Sequence, residues 1–512
     1  MKHLVPLPLL LLCIATAPAR EFSVLTYNVE NLFDADKVAI FDEYAETGAP
    51  DAYNPAKMLR KIQNIASVLK TFNNGAGPEV VCFNEIEIDF TPDSPASDHA
   101  AFLEKYSGTT VDKMLTTELN DKIRGLPAEA LLLKYLEDNG MTGYRVIVGA
   151  DKPDLAAVGS EDRETHRKAQ KSAVFTKFPV LETRSHPTPD ARDILEVKLD
   201  IDGHPLTVFV NHWKSRASDL AAESTRRFNA KTLRDRLEQI FAENPSADVL
   251  LAGDFNSHYN QTQAFPHLGR TAVNDVLGSQ GDELKTALAK ELSLYNLWYE
   301  LPRKERYSDE FKGVWGTLMQ NMVTPGLYDQ NGVQYVDNSF SVVRLDGINR
   351  HTELGLPHRW SNAGEGSGTS DHFPIVARFR TVEDADPSAR IAPEKPGKED
   401  ATDEPLRVGY EKLPPGRVPA LTAQVAQSAD EHDGEIFRVA AMVTSRRPLA
   451  VEAFGNEFLL WSPDEDLLKR MRGFAKGDKV EFLGELGLHK GKWQFVVHSP
   501  QWLLKVPPPV AE

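Results

Sequence analysis

The chain has 512 residues, of which 41% are hydrophobic and 9% aromatic, and a formal net charge of −17. These proportions exclude a disordered or fibrous chain and leave room for two or three domains. The acidic balance excludes a protein that grips polyanions with a broad basic face, so any phosphate contact has to be local and helped by a cation that reverses the field around it.

The first segment, MKHLVPLPLLLLCIATAPAR, combines a basic start, a short apolar stretch and a small-x-small site at Ala17 and Ala19. It predicts a signal peptide over residues 1–20, too short to span a bilayer, with the mature chain beginning at Arg20 or Glu21. Cys13 falls inside it, which leaves Cys82 alone in the mature chain and no intramolecular disulfide. Cys82 lies in the apolar run EVVCF and reads as a buried structural thiol. An exported protein of this size without disulfides fits a bacterial periplasm or exterior.

From 21 to 380, strand-like runs alternate with amphipathic helical stretches. FSVLTYNV, EVVCFNEI, YRVIVGA, SAVFTKFPVLE, ILEVKLDI, LTVFVNH, DVLLAGDF and PIVARFR read as strands because each is short, rich in β-branched or aromatic residues and bounded by turn residues. AKMLRKIQNIASVLKTF, EALLLKYLEDNG and SDLAAESTRRFNAKTLRDRLEQIFAEN read as helices from their three-to-four-residue apolar spacing. Such a mixture predicts a layered α/β or α+β domain. Two stretches, about 90–126 and 269–335, break the pattern and read as ordered insertions near the mouth of a site.

The segment 381–430 is rich in Pro, Glu, Asp and Lys and reads as a linker. From 431 to 507 short strands return with a helical DEDLLKRMRGF among them and a GKW hairpin, which predicts a small closed β-barrel resembling an oligonucleotide/oligosaccharide-binding (OB) fold. Its aromatic residues Trp461, Phe482, Trp493, Phe495 and Trp502, interspersed with Arg446, Arg447, Arg470, Arg472, Lys490 and Lys492, suit a single strand of nucleic acid, although at least half of the aromatics read equally well as barrel core.

Within the first domain, five polar motifs each follow an apolar run: TYNVEN, FNEIE, VNHWKSR, AGDFN and SDHFP. Acids, amides and histidines leaving the ends of several strands of a sheet converge in a cleft, and that mixture suits holding a hard divalent cation against a phosphate while a water attacks. A carboxylate straight after a buried strand, as at Glu85, costs several kcal/mol unless a cation or partner compensates it. Glu87 reads as a solvated neighbour. His212 and His372 titrate near neutrality and suit hydrogen-bond donation or proton transfer. Lys214 and Arg216 read either as phosphate grips or as solvated strand-end cations. No HExxH, CxxC or serine elbow is present, and the oxygen-rich set points to Mg²⁺ or Mn²⁺, with Ca²⁺ also suited.

The ordered series resembles that of the endonuclease/exonuclease/phosphatase superfamily, over residues 22–379. The resemblance implies a four-layered sandwich of two mixed β-sheets flanked by helices, with the site at one edge of the paired sheets. It implies Asn28, Glu30, Glu85 and Asp371 at the metal, and His212, Asp254, Asn256 and His372 in catalysis, with Asp254 orienting or deprotonating the attacking water and Asn256 holding a phosphate oxygen. One departure stands out: Met319 occupies the place of an Asp that orients the second histidine in relatives, and Asp346 in RLDGI offers a substitute. The implied function is a secreted, metal-dependent phosphoesterase acting by in-line water attack, most simply a nuclease on DNA or RNA. A phospholipid, inositol or sugar-phosphate esterase is the alternative, and a binding protein with impaired turnover is a third reading that the Met319 departure allows.

Overall fold

The computed structural model describes residues 20–41, 44–45, 52–90, 96, 98–152, 169–352, 354–383, 387–389, 391, 393, 405–429, 432–489 and 491–506. The expected signal peptide, except Arg20, and most of 384–404 lie outside the described residues.

The chain lays down β1 (Glu21–Leu32), β2 (Val80–Glu87), β3 (Arg145–Val148) and β4 (Gln170–Thr176), then β5 (Val180–His186), β6 (Ile194–Ile201), β7 (His204–His212) and β8 (Val249–Asp254). There follow β9 (Ser279–Gln280), β10 (Leu294–Asn296), the hairpin β11 (Asp309–Phe311) and β12 (Val314–Gly316), β13 (Met319–Val323), β14 (Gly332–Tyr335), β15 (Ser341–Val342) and β16 (Ile375–Val382). One mixed sheet has the order β14-β16-β1-β2-β4-β3, with β15 also on β16, and the second has the order β5-β6-β7-β8-β13-β10-β9.

Strand alternation divides the apolar residues between layers. In β1, Val24 joins the core between the sheets, with Cys82 of β2 and Val208 and Leu250 of the second sheet. Its neighbours Leu25 and Tyr27 face outward onto the helices Pro55–Leu69 and Ala128–Asp138. The helix Leu220–Glu243 covers the far side of the second sheet through Leu233 and Leu237. This is the expected four-layered sandwich, and Cys82 is the buried thiol that EVVCF implied.

The structure differs from the sequence reading in three places. SAVFTKFPVLE is two strands, because the chain leaves the first sheet after Thr176 and enters the second at Val180, with Pro179, which has no N–H for a ladder, at the crossing. The stretch 269–335 supplies β9, β10 and β13 to the second sheet and β14 to the first, so it is part of the scaffold as well as an excursion. Part of the expected linker is folded: Val408, Tyr410, Val418 and Leu421 pack into the barrel core.

The barrel consists of β17 (Ile436–Arg446), β18 (Leu449–Ala453), β19 (Asn456–Trp461), β20 (Lys479–His489) and β21 (Lys492–Val496), with β22 (Leu503–Lys505) added on β20. Pairing of β17 with β20, and parallel pairing of β19 with β21, close the ring. The helix Glu465–Met471 sits between β19 and β20. The segment WLLKV contributes β22, which pairs only with β20 at the edge of the ring. Phe482, Phe495 and Trp502 fill the core, whereas Trp461 is 38% exposed.

Candidate active site

By alternation, Val208, Val210 and His212 on β7 and Leu250, Ala252 and Asp254 on β8 share the face between the sheets, so each strand ends its apolar row on a polar residue. The strands are parallel and place His212 opposite Asp254. Gly253, at φ 128°, permits this: a Cβ there would lie 2.1 Å from the Asn211 carbonyl oxygen. On β1, Asn28 continues the row of Val24 and Thr26 to the same edge.

Glu85 reaches the edge by a different route. Plain alternation would send it outward with Phe83, but it sits at φ 64° where the β2–β4 register slips, and the bulge turns its carboxylate inward. Glu30 and Asn31 (φ 49° and 66°) and Asn256 (φ 47°) share this strained left-handed region. Non-glycine residues there cost on the order of 1–3 kcal/mol each and gather where a site needs them.

Asn28 Nδ2 donates to Glu85 Oε1 at 3.0 Å and to Asp254 Oδ2 at 3.1 Å. Its amide oxygen accepts from the Glu30 backbone N–H at 3.0 Å, and that donor fixes which way the amide faces. Asn28 therefore ties two carboxylates together. His212 Nε2 lies 3.6 Å from Glu85 Oε1, and His372 Nε2 lies 3.6 Å from Asp371 Oδ1. The Asp254 backbone N–H donates to Asn84 Oδ1 at 2.9 Å, and its Oδ1 accepts from the Asn256 backbone N–H at 2.7 Å. Asn256 spends one amide hydrogen on the Trp213 carbonyl at 3.1 Å. Ser370 Oγ ties the final motif to β1 through the Asn28 carbonyl at 2.7 Å.

Glu30 faces Arg359. The guanidinium lies 3.1 Å from its Oε1, and the Trp360 backbone N–H donates to Oε2 at 2.7 Å. Arg359 also stands 3.8 Å from Asp371 Oδ2. Burial, with Asp371 nearby, pushes Glu30 up to about 7 against the pull of Arg359 and Lys61.

The two histidines are driven apart. Burial, the Arg192 guanidinium and the charge on His372 hold His212 well below the ordinary imidazole range. Burial opposes charge on His372 too, but Asp371, Asp254, Asp309 and Glu85 outweigh it and lift the imidazole to about 9. Nδ1 of both rings is buried without a hydrogen-bond partner, so the surrounding field sets their charge.

Several sequence expectations change. Asp346 turns outward, 61% exposed, and pairs with Arg350 at 3.0 Å, so it is not the acid brought to His372. Asp309, buried on β11 and bridged to His372 through the backbone, is one of four acids whose charge acts on that imidazole, and it makes no hydrogen bond to His372 Nδ1. Met319 is fully buried core. Glu87 is 3% exposed and accepts from the Asp34 backbone N–H at 2.7 Å, so it is not solvated. Arg216 is exposed on the loop after β7, and Arg192 is a cation that acts on both Glu85 and Asp254. Lys214, also on that loop, is half-buried. Arg192, Arg359 and Asp309 lie outside every motif. Only the isolated Arg in HRW, beside two aromatic or titratable neighbours, offered a signal.

The residues fit a divalent cation. Glu85, His212 and Asp254 offer ligand atoms within 4.8 Å of one another. Asp371 Oδ1 is buried with no donor, and burial and Asp371 together raise Glu85 above the usual carboxylate range. The carboxylate oxygens form a hard donor set suited to Mg²⁺ or Mn²⁺.

Residues 162–381 match the model of the Endonuclease/Exonuclease/phosphatase family. No curated protein matches the chain. Among solved structures, a D. rerio TDP2 humanized by 14 mutations is 15% identical, with 70% of this chain and 99% of that one covered and a TM-score of 0.37. The human Nocturnin catalytic domain is 13% identical, with 70% and 93% covered and a TM-score of 0.35. An endonuclease/exonuclease/phosphatase family protein from Bacteroides thetaiotaomicron is 13% identical, with 73% and 99% covered and a TM-score of 0.35.

Proposed function

We propose, on the premise that residues 162–381 belong to the endonuclease/exonuclease/phosphatase family, that this protein is an exported, metal-dependent phosphodiesterase that cuts nucleic acid. The observation that carries the reading is the convergence of Asn28, Glu85, His212, Asp254 and His372 at one edge of the paired sheets, with Asp254 Oδ2 between both imidazoles.

Asp254, held by Asn84 and the Asn256 backbone, takes a proton from the attacking water. The new P–O bond forms as the ester P–O bond opposite it breaks, without a covalent enzyme intermediate. His372, held in its charged form by four acids, donates to the phosphoryl or leaving oxygen. The second amide hydrogen of Asn256 is left for a phosphate oxygen. Glu85, with Asp254 and His212 or Asp371, would hold the cation, which supplies charge stabilisation at the phosphoryl oxygens when bound.

The barrel favours a polymeric substrate. A cavity of about 460 Å³ on its surface is lined by Arg446, Arg447, Arg472, His489 and the half-exposed Trp461. A flat aromatic face beside several cations suits stacked bases and their phosphates. Among the described residues no helix is long and apolar enough to cross a membrane, and export rests on the 1–20 segment.

The test is digestion of supercoiled plasmid and single-stranded oligonucleotides by the mature chain with Mg²⁺, Mn²⁺, Ca²⁺ or chelator. Cutting that needs metal and is lost in Asp254→Ala and His372→Ala supports the reading. Absence of cutting, with release of phosphate or head group from a phospholipid or sugar phosphate, would replace it.

A further inference from the structure

The hairpin β11–β12 stands between the active site and the barrel, and its residues alternate between the two. Asp309 faces His372. Its neighbour Glu310 is half-buried toward the barrel, where the His498–Glu485 pair (2.7 Å) and Arg359 act on it. At the hairpin's other side, Trp315 packs against the barrel's apolar core. The Trp315 backbone N–H donates to the Leu406 carbonyl at 2.8 Å, and the Val408 backbone N–H donates to the Gly313 carbonyl at 2.9 Å, so the segment entering the barrel extends the hairpin.

A second connection runs through the loop that carries Arg359. Ser361 Oγ donates to Asp433 of the barrel, and Leu354 and Leu356 pack on the barrel core. The same loop places Arg359 and the Trp360 N–H on Glu30, and Arg359 beside Asp371. The barrel thus touches the two segments that carry Asp309 and Arg359, each through partly buried apolar side chains and hydrogen bonds.

We propose that the barrel is part of the active-site scaffold, with Trp315, Glu310 and Asp433 as positioning residues that hold Asp309 against His372 and Arg359 against Glu30 and Asp371. This rests on the phosphodiesterase reading for its kinetic consequence but not for its geometry. A module that only captured polymer would need a linker alone; this one is joined to the segments that carry Asp309 and Arg359. Outer partners of this kind typically change activity by about 10- to 100-fold when removed.

The test uses the full mature chain and a small activated diester, bis(p-nitrophenyl) phosphate with Mg²⁺, which is too short to reach the barrel cavity. Trp315→Ala and Asp433→Ala are expected to lower kcat about tenfold with KM within about twofold, and Trp315→Phe to restore most of the rate. In ¹⁵N-histidine-labelled protein, the His372 ring signals, assigned by their loss in His372→Gln, are expected to shift in both alanine variants as they do in Asp309→Asn. Unchanged kcat together with unmoved His372 signals would overturn the proposal. Should Trp315→Ala lose its cooperative unfolding transition, Asp433→Ala decides. A wild-type chain inactive on every diester would remove the proposed function, while the His372 signals would still judge this inference.

Discussion

His212 and His372 approach the same oxygen, Asp254 Oδ2, each with Nε2 at 3.8 Å, one from the second sheet and the other from the turn that enters the first. A single carboxylate thus lies between a ring held neutral and a ring held charged. Paired groups driven apart in this way mark a division between accepting and donating protons.

Removing Asp254 or His372 should therefore cost rate and not fold. Asp254→Asn and His372→Gln are expected to lower kcat on a phosphodiester by about 10²- to 10⁴-fold while thermal midpoints stay close to the parent. A loss below tenfold in both would move the chemistry elsewhere.

Asp309 and Asp346 separate two readings of the missing orienting acid. Asp309→Asn should lower kcat about 10- to 100-fold, whereas Asp346→Asn, exposed and paired only with Arg350, should stay within about twofold. The reverse ranking would return the orienting role to Asp346.

Metal should bind at the acidic edge. Calorimetric titration with Mn²⁺ is expected to show a site whose affinity falls about 10- to 100-fold in Glu85→Gln, and chelator should abolish turnover in the parent. Binding untouched by Glu85→Gln would place the ion at other ligands.

A pH effect on stability is expected from Glu196. Burial raises its carboxyl, but His186 at 2.6 Å and Arg236 at 2.8 Å outweigh this and hold it at about 2. A folded value below the unfolded one means that the stabilisation is complete above about pH 4.5 and is lost as pH falls toward 2. The contribution is on the order of 2 kcal/mol, smaller at high salt. Urea midpoints measured from pH 5 to 2.5 should fall more steeply for the parent than for Glu196→Gln; parallel curves would remove the pair from the account.

Gly253→Ala should damage the fold at the site. The added carbon meets the Asn211 backbone oxygen at 2.1 Å in a left-handed conformation, which forces β7 and β8 apart. A loss of about 3 kcal/mol or more is expected in chemical unfolding. A loss under 1 kcal/mol would show that the two strands yield easily.

Local periodicity made the strands of a layered α/β domain and the polar residues that end them legible in the chain, and the resemblance to a known family implied the four-layered sandwich and the roles of those residues. Rows such as Val208-Val210-His212 and Leu250-Ala252-Asp254 state in the sequence that a buried strand ends on a polar side chain facing inward. The barrel was legible for the same reason, apart from β18, whose Leu449–Ala453 begins straight after Pro448 and is too short to announce itself.

Tertiary structure decided the rest. Alternation sends Glu85 the wrong way, and only a bulge set by pairing with β4 turns it inward. Asn28 reads in the sequence as an oxygen donor, and only the fold brings its amide nitrogen between Glu85 and Asp254. Asp309, Arg192 and Arg359 carry no motif, since each reaches the site from a loop or hairpin whose course is fixed by distant packing, including that of the barrel. Periodicity is written residue by residue, so the sequence determined most of the segments that form strands and which acids and histidines end them. A side chain's partner depends on which distant backbone comes to lie beside it, so the charge on each histidine was decided by the fold alone.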